Sequence, residues 1–280
     1  MTPSPPFGDE ALPLKRTVGI GGLGTIGFAI AEWLDGYGGD LELAAVSAKN
    51  LERARSRVAH FRRPPTVVAP AELAASAVVI EAAPGAAFDE IAIPAIESGR
   101  TLIVASVGAL ISRMHLIDRA RRTGAHIIVP SGALAGLDAI RAAAIGVIDR
   151  VTLETRKLPA ALAGAPHLVR NGIDPQSITQ ATCVFRGNAL EAAAGFPANA
   201  NVAAALALAG IGPLRTQVEI WADPGVTRNT HTVRVDADCG RLTLCVESTP
   251  SKANPRTSRI APQSLIASLL ALDTTLKVGS

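Results

Sequence analysis

Apolar and polar positions alternate with two different periods along this 280-residue chain, and the change between them divides it. In the first half, short apolar runs at 16–20, 41–47, 66–69, 77–82, 101–106 and 125–129 predict strands. Between them, 26–34, 50–60, 87–98 and 112–123 carry helical spacing. Val78-Val79-Ile80 and Leu102-Ile103-Val104 are apolar without alternation, as expected of strands buried on both faces. Strand and helix in regular alternation imply right-handed crossovers and an α/β fold, a Rossmann-type doubly wound parallel sheet.

The second half reads differently. A helix is predicted over 133–148, a strand over 151–156, and alanine-rich helices over 189–194 and 201–209. Period-two strands follow at 216–221, 230–236 and 241–247, the last two joined by the turn Ala237-Asp238-Cys239-Gly240. This order predicts a second, smaller α+β domain with helices on one face of a mainly antiparallel sheet. A proline-containing stretch, 250–262, precedes a last helix at 263–276. The expected division is a loose leader at 1–16, a first domain at 17–132, a second at 133–262, and a return of 263–280 to complete the first.

Composition narrows the function classes. Hydrophobic residues at 48% and charged residues at 18% exclude a disordered chain. The net charge of +3 is not gathered into a stripe, and six Phe, one Tyr and two Trp give few stacking partners, so nucleic-acid binding is not expected. A weak positive balance suits an anionic small molecule better. Cys183, Cys239 and Cys245 form no CxxC pair, which argues against a disulfide framework and a zinc site. The N-terminus lacks a signal-like apolar run and 202–214 is too short for a bilayer, so a soluble, cytoplasmic protein without a membrane partner is expected.

Gly22-Leu23-Gly24-Thr25-Ile26-Gly27 follows the first strand and opens the first helix. In that context a GxGxxG loop predicts a nicotinamide-dinucleotide site: Gly22 for the turn, Gly24 for approach of the pyrophosphate, Gly27 for close helix packing. An NAD-specific site usually has Asp or Glu at the end of the second strand. Here Ser47-Ala48-Lys49-Asn50 stands there with Arg53 beyond, so a 2′-phosphate meets no repulsion and NADP is expected to be accepted, unless Lys49 and Arg53 are merely solvated. No GxSxG, HExxH or P-loop motif occurs, which leaves redox chemistry to a bound nicotinamide. Of the histidines, His60, His115 and His126 lack an acid or nucleophile nearby and His167 sits in a loop. His231 shares strand parity with Val233 and Val235. It is either a core histidine with its ring satisfied or a base projecting from the sheet.

Taken together, several segments resemble the L-aspartate dehydrogenase family. They are the glycine loop, Ser106-Val107-Gly108-Ala109-Leu110, 131–138 (SGALAGLD), 196–204 (FPANANVAA), Asn229-Thr230-His231, and Asn254-Pro255-Arg256-Thr257-Ser258. The resemblance covers most of the chain. It implies NAD- or NADP-dependent oxidative deamination of L-aspartate to iminosuccinate, which gives oxaloacetate and ammonia, or the reverse amination, usually in a homodimer. It makes His231 the catalytic residue and brings Ala135 and Asn201 to the dinucleotide, alongside Gly22, Gly24, Thr25, Ile26, Gly27, Ser47, Lys49 and Ala83. A substrate with two carboxylates, a dicarboxylic amino or imino acid, needs cations or oriented donors. Lys157, Asn199, Asn229, Thr230, Ser251, Asn254, Thr257 and Ser258 are the candidates, against the plainer readings of Lys157 as a solvated strand end and 254–258 as a turn.

Fold alone does not choose among reductases of the same plan. A homoserine-dehydrogenase-like or dihydrodipicolinate-reductase-like enzyme, an imino-acid reductase for a larger aspartate derivative, and a dinucleotide-binding protein without turnover stay open at this point.

Overall fold

The computed structural model describes residues 15–249, 251 and 257–279. Its first sheet holds β1 (Arg16–Gly21), β2 (Leu41–Ser47), β3 (Thr66–Val67), β4 (Val78–Glu81), β5 (Thr101–Val104) and β6 (His126–Ile128), all parallel, in the order β3-β2-β1-β4-β5-β6. Helices α1 (Thr25–Gly36), α2 (Leu51–Val58), α3 (Phe88–Glu97), α4 (Val107–Leu110) and α5 (His115–Thr123) lie in the crossovers. The order reverses between β1 and β4, and a crevice at the carboxyl ends of strands at such a switch point is where this architecture binds ligands. The doubly covered β4 and β5 are buried almost throughout, as their uninterrupted apolar runs require.

The second sheet runs β11-β10-β7-β9-β8. Its strands are β7 (Ile148–Lys157), β8 (Thr182–Asn188), β9 (Gln217–Ala222), β10 (Asn229–Ala237) and β11 (Gly240–Ser248). Three neighbouring pairs are antiparallel and β7 with β9 is parallel. Val151 and Leu153, Val218 and Ile220, and Val233 and Val235 turn one face towards α6 (Leu137–Ala143), α8 (Ala189–Gly195) and α9 (Asn201–Ala209). The other face carries charge: Arg156 pairs with Glu154 at 2.7 Å and with Asp223 at 3.1 Å. A short helix, α7 (Pro166–Arg170), precedes β8.

Two packing features join the sheets. Helix α9 is apolar around its whole circumference, and it is covered on both sides. Ala203, Leu206 and Ala207 lie in the core of the second sheet, and Ala204 and Ala205 in that of the first, with Val107 and Leu110. Helix α10 (Ile260–Leu270) returns to the first sheet, where Leu265 and Leu269 share a cluster with Ile30 and Leu34 of α1.

Several boundaries differ from the expected ones. The helix expected over 133–148 is only α6, because Gly136 takes a left-handed φ of +70° and β7 already begins at Ile148. The expected 112–123 helix starts at His115, and the last helix spans 260–270, ending before a stretch of Asp273, Thr274 and Thr275 that favours no helix interior. Strand β8 was not expected: a register shift between Cys183 and Phe185 breaks the alternation that would have announced it. Among the described residues, no helix is long and apolar enough to cross a membrane.

Candidate active site

The glycine loop lies where β1 meets α1. Gly22 has φ of +95°, and a Cβ there would sit 2.5 Å from the Ala82 carbonyl oxygen, so the turn is open only to glycine. At Gly27 a Cβ would come within 1.9 Å of the Gly22 oxygen; this glycine lets α1 start directly against the strand. Gly24 is different. It is exposed, and a Cβ would meet no atom of the described residues within 4 Å. Internal packing therefore does not demand a glycine there, whereas a ligand lying against the backbone would. No side chain caps α1, and its first turn holds no acidic residue. The N–H groups of Thr25, Ile26 and Gly27 thus begin a 12-residue helix whose dipole favours an anion at this point.

The end of β2 lies beside the loop, since Gly22 N donates to the Ser47 carbonyl at 2.7 Å. Ser47 is buried, and its hydroxyl has no partner among the described residues. Lys49 and Arg53 are exposed, while Asn50 caps α2 through the Arg53 N–H at 2.9 Å. Arg57 donates to the Leu23 carbonyl and lies 3.7 Å over the Phe28 ring, so it braces the loop from α2. Across the switch point Ala83 and Ser106 form the turns after β4 and β5, with the Ser106 hydroxyl donating to the Ala83 carbonyl at 2.7 Å.

The second half of the site stands on the helix-covered face of the second sheet. His231 of β10 lies opposite Thr155 of β7, and its Nδ1 is 3.0 Å from the Thr155 hydroxyl. Both are buried. Burial, followed by the neighbouring Lys157 charge, pushes the imidazole down to about 3, so the ring is neutral near pH 7. Lys157 continues the Leu153, Thr155 parity and is only 4% exposed. Its ammonium donates to Asn199 Oδ1 at 2.5 Å, pairs with no carboxylate among the described residues, and is pushed by burial down to about 8. Asn229 is also buried, one alternation before His231, and its Nδ2 has no partner among the described residues.

The two halves meet through the lead-in to α9. Asn201 Oδ1 accepts from Gly108 N at 3.0 Å, and two residues earlier Asn199 holds Lys157. A Cβ on Gly108 would lie 3.1 Å from that of Ala200, so the glycine permits this approach. A separate cleft of about 480 Å³ at the amino end of β2, lined by Tyr37, Leu41 and α10, holds none of these groups.

The family model described as aspartate dehydrogenase, C-terminal, matches residues 138–272, and the one described as homoserine dehydrogenase, NAD binding domain, matches 22–130. An L-aspartate dehydrogenase from Bradyrhizobium diazoefficiens is 45% identical, over 97% of this chain and 97% of its own. The chain belongs to the L-aspartate dehydrogenase family. Another relative of that name, from Methanocella arvoryzae, is 41% identical over 94% of this chain and 99% of its own. The fold agrees with that of aspartate dehydrogenase from Thermotoga maritima (TM-score 0.73, 24% identity, 94% of this chain and 99% of that one). NAD or NADP is the cofactor of this family member, an NAD(P)-dependent amino-acid dehydrogenase, and the open backbone at Gly24 and the orphaned Ser47 hydroxyl fit a dinucleotide.

In this L-aspartate dehydrogenase family member the other expected site residues are scattered. Ala135 is exposed in the loop before α6, and that loop is tied to α10 by Gly132 N donating to the Ser264 hydroxyl at 3.0 Å. Strand alternation turns Thr230 to the charged face, opposite Arg156 and away from His231. Ser258 is buried but spends its hydroxyl on Ile260 N at the start of α10. Thr257 accepts from Ser251 N through its carbonyl at 2.7 Å. Asn254 lies outside the described residues. Thr155 was not singled out from the sequence, although a polar residue in step with Val151 and Leu153 is a readable signal of one aimed into a site.

Proposed function

We propose that this family member oxidatively deaminates L-aspartate to iminosuccinate, and thence to oxaloacetate and ammonia, with His231 as acid and base. The observation that carries this reading is Lys157. A buried ammonium with no anionic partner among the described residues costs stability, and beside a buried histidine and an Asn229 amide likewise unpartnered among them it makes a pocket that a dicarboxylate would complete. In this proposal Lys157 and Asn229 hold the substrate carboxylates, with Asn199 setting the position of the ammonium. Thr257, Ser258 and Thr230 are retained as more distant candidates, and Asn254 as a candidate outside the described residues.

Hydride acceptance from Cα is the chemistry that a bound nicotinamide would supply. The protein's part is proton handling. The substrate amine must be neutral before hydride can leave; the neutral imidazole of His231 takes its proton once the bound carboxylates offset the burial and the Lys157 charge that hold the ring down, and passes it to solvent. Neutral again, the ring removes a proton from the water that adds to the imine carbon and returns it to the nitrogen, so that ammonia departs. Thr155 fixes the ring orientation through Nδ1 and leaves Nε2 for the substrate. Gly22, Gly24, Thr25, Ile26, Gly27, Ser47, Lys49, Ala83, Ala135 and Asn201 are assigned to the dinucleotide. Domains at 17–132 and 133–262, with 263–280 returning to the first, a homodimer and a cytoplasmic location complete the proposal.

L-Aspartate-dependent reduction of NAD and NADP tests it, with L-homoserine as the competing substrate. Turnover of homoserine and none of aspartate would overturn it. Preference for NAD by about a hundredfold or more in kcat/KM would remove the expected NADP tolerance. His231→Ala should lower kcat by about 100-fold or more with cofactor affinity nearly unchanged, and near-wild-type turnover would discard His231 as the base.

A further inference from the structure

Glu81 is the last residue of β4, fully buried, and the mechanism above does not use it. It stands in an otherwise apolar strand, where an ionisable side chain is costly unless it does something. Its two oxygens reach two different turns: Oε1 accepts from Ala83 N at 3.0 Å and Oε2 from Ser106 N at 2.9 Å. The Ser106 hydroxyl closes the pair by donating to the Ala83 carbonyl. Two residues after Ser106, Gly108 N donates to Asn201, the first residue of α9. A single carboxylate thus ties the turns after β4 and β5, and that pair is tied in turn to the second domain. These turns line the crevice at the switch point opposite the glycine loop, since Gly22 itself lies against Ala82 and Ala83.

We propose that Glu81 is a positioning residue of the dinucleotide site, its carboxylate holding the Ala83 and Ser106 turns at the spacing that bound NAD or NADP requires. The inference rests on the dinucleotide crevice and not on the identity of the amino-acid substrate. Both partners are N–H donors, so only the ionised carboxylate satisfies both fully. Protonation turns one acceptor into a donor and weakens its hold on one turn. Burial pushes the carboxyl up to about 7, against the hydrogen bonds from Ser106, Ala83 and Ala105, which pull it down. The neighbouring segments carry no charge at this level: Gly19–Gly21 of β1, Ile103 and Val104 of β5, the 105–110 turn, and Ala200 and Asn201 at the start of α9. Asp89 of α3 is paired with Arg113 at 2.6 Å. The brace therefore tightens as pH rises through neutrality.

The test is NADH binding to the free enzyme, followed by fluorescence titration from pH 6 to pH 8.5. NADH is the probe because it lacks the 2′-phosphate, which titrates in the same range. Wild-type affinity should strengthen by up to about tenfold between pH 6 and pH 8, following the ionised fraction. E81Q should bind about tenfold more weakly at pH 8 and show a flat profile, because its amide cannot accept from both N–H groups at once. E81Q affinity within threefold of wild type at pH 8, or a wild-type profile kept by E81Q, overturns the proposal. If E81Q does not fold, the wild-type titration decides alone, and a flat profile overturns it. Absence of NADH binding by wild type at any pH would instead sink the dinucleotide crevice.

Discussion

Lys157→Met separates what the buried ammonium costs from what it does. The lowering of Lys157 from 10.5 to about 8 corresponds to about 3 kcal/mol of penalty for holding the charge in the folded protein. Methionine keeps the unbranched volume and removes the charge. The loss is one hydrogen bond to Asn199, worth about 1 kcal/mol, and Asn199 is half-buried, so its oxygen can be rehydrated. The variant without ligand should therefore be more stable by about 2 kcal/mol, a rise of about 5 °C in melting temperature at pH 7. The sign follows from linkage. The folded ammonium loses its proton near 8 and the unfolded one near 10.5, so the penalty is complete below 8 and lifts between those values. Wild type should accordingly close the gap on Lys157→Met as pH is raised through that window. Function should move the other way. Losing a charged contact to a carboxylate costs about 1.5–3 kcal/mol, which raises KM for aspartate about 10- to 100-fold. Differential scanning fluorimetry with and without L-aspartate, alongside initial rates, reads both arms. A variant that melts lower than wild type and keeps its aspartate KM would refute the reasoning, because Lys157 would then be a structural cation.

Two further substitutions probe the remaining parts of the site. Thr155→Val leaves His231 Nδ1 without its partner at unchanged volume; kcat should fall about tenfold while Thr155→Ser stays near wild type, and equal kcat in both variants would release Thr155 from any part in orienting the ring. Gly27→Ala places a methyl 1.9 Å from the Gly22 oxygen, so stability should drop by about 3 kcal/mol and NADH binding should vanish in calorimetry; a variant that binds normally would show that the loop is freer than its contacts imply.

Much of this arrangement was legible in the chain. The parallel sheet was, because buried strands and their crossover helices leave opposite signatures: β2 and α9 fall at the residues their periods predict. The glycine loop was legible because Gly22 and Gly27 each answer a separate steric demand, with Gly24 left open between them. What escaped is what periodicity does not encode. Strand β8 is interrupted by a bulge, and the helix expected before β7 is cut short by the conformation of one glycine. In the site, His231 and Lys157 were readable by residue type. Thr155 carries a weaker signal, its parity with Val151 and Leu153, which gains meaning only once the residue opposite it is known. Glu81 is the one polar letter in an apolar run, which periodicity reads only as the end of a buried strand. Thr230, a candidate as a hydroxyl donor beside His231 in sequence, lies on the other side of the pleat, opposite Arg156.

The double burial of α9 bears on how this protein can be re-engineered. Its alanines complete the apolar surface formed by Val107 and Leu110, and α10 does the same for α1. The nucleotide-binding half is therefore not a portable module. A fragment ending at Gly132 would lack both covers and present two bare apolar strips, so grafting this half onto a new catalytic partner would require carrying α9 and α10 with it. A change of specificity is better sought by editing side chains in place, on β7 and β10, than by exchanging halves.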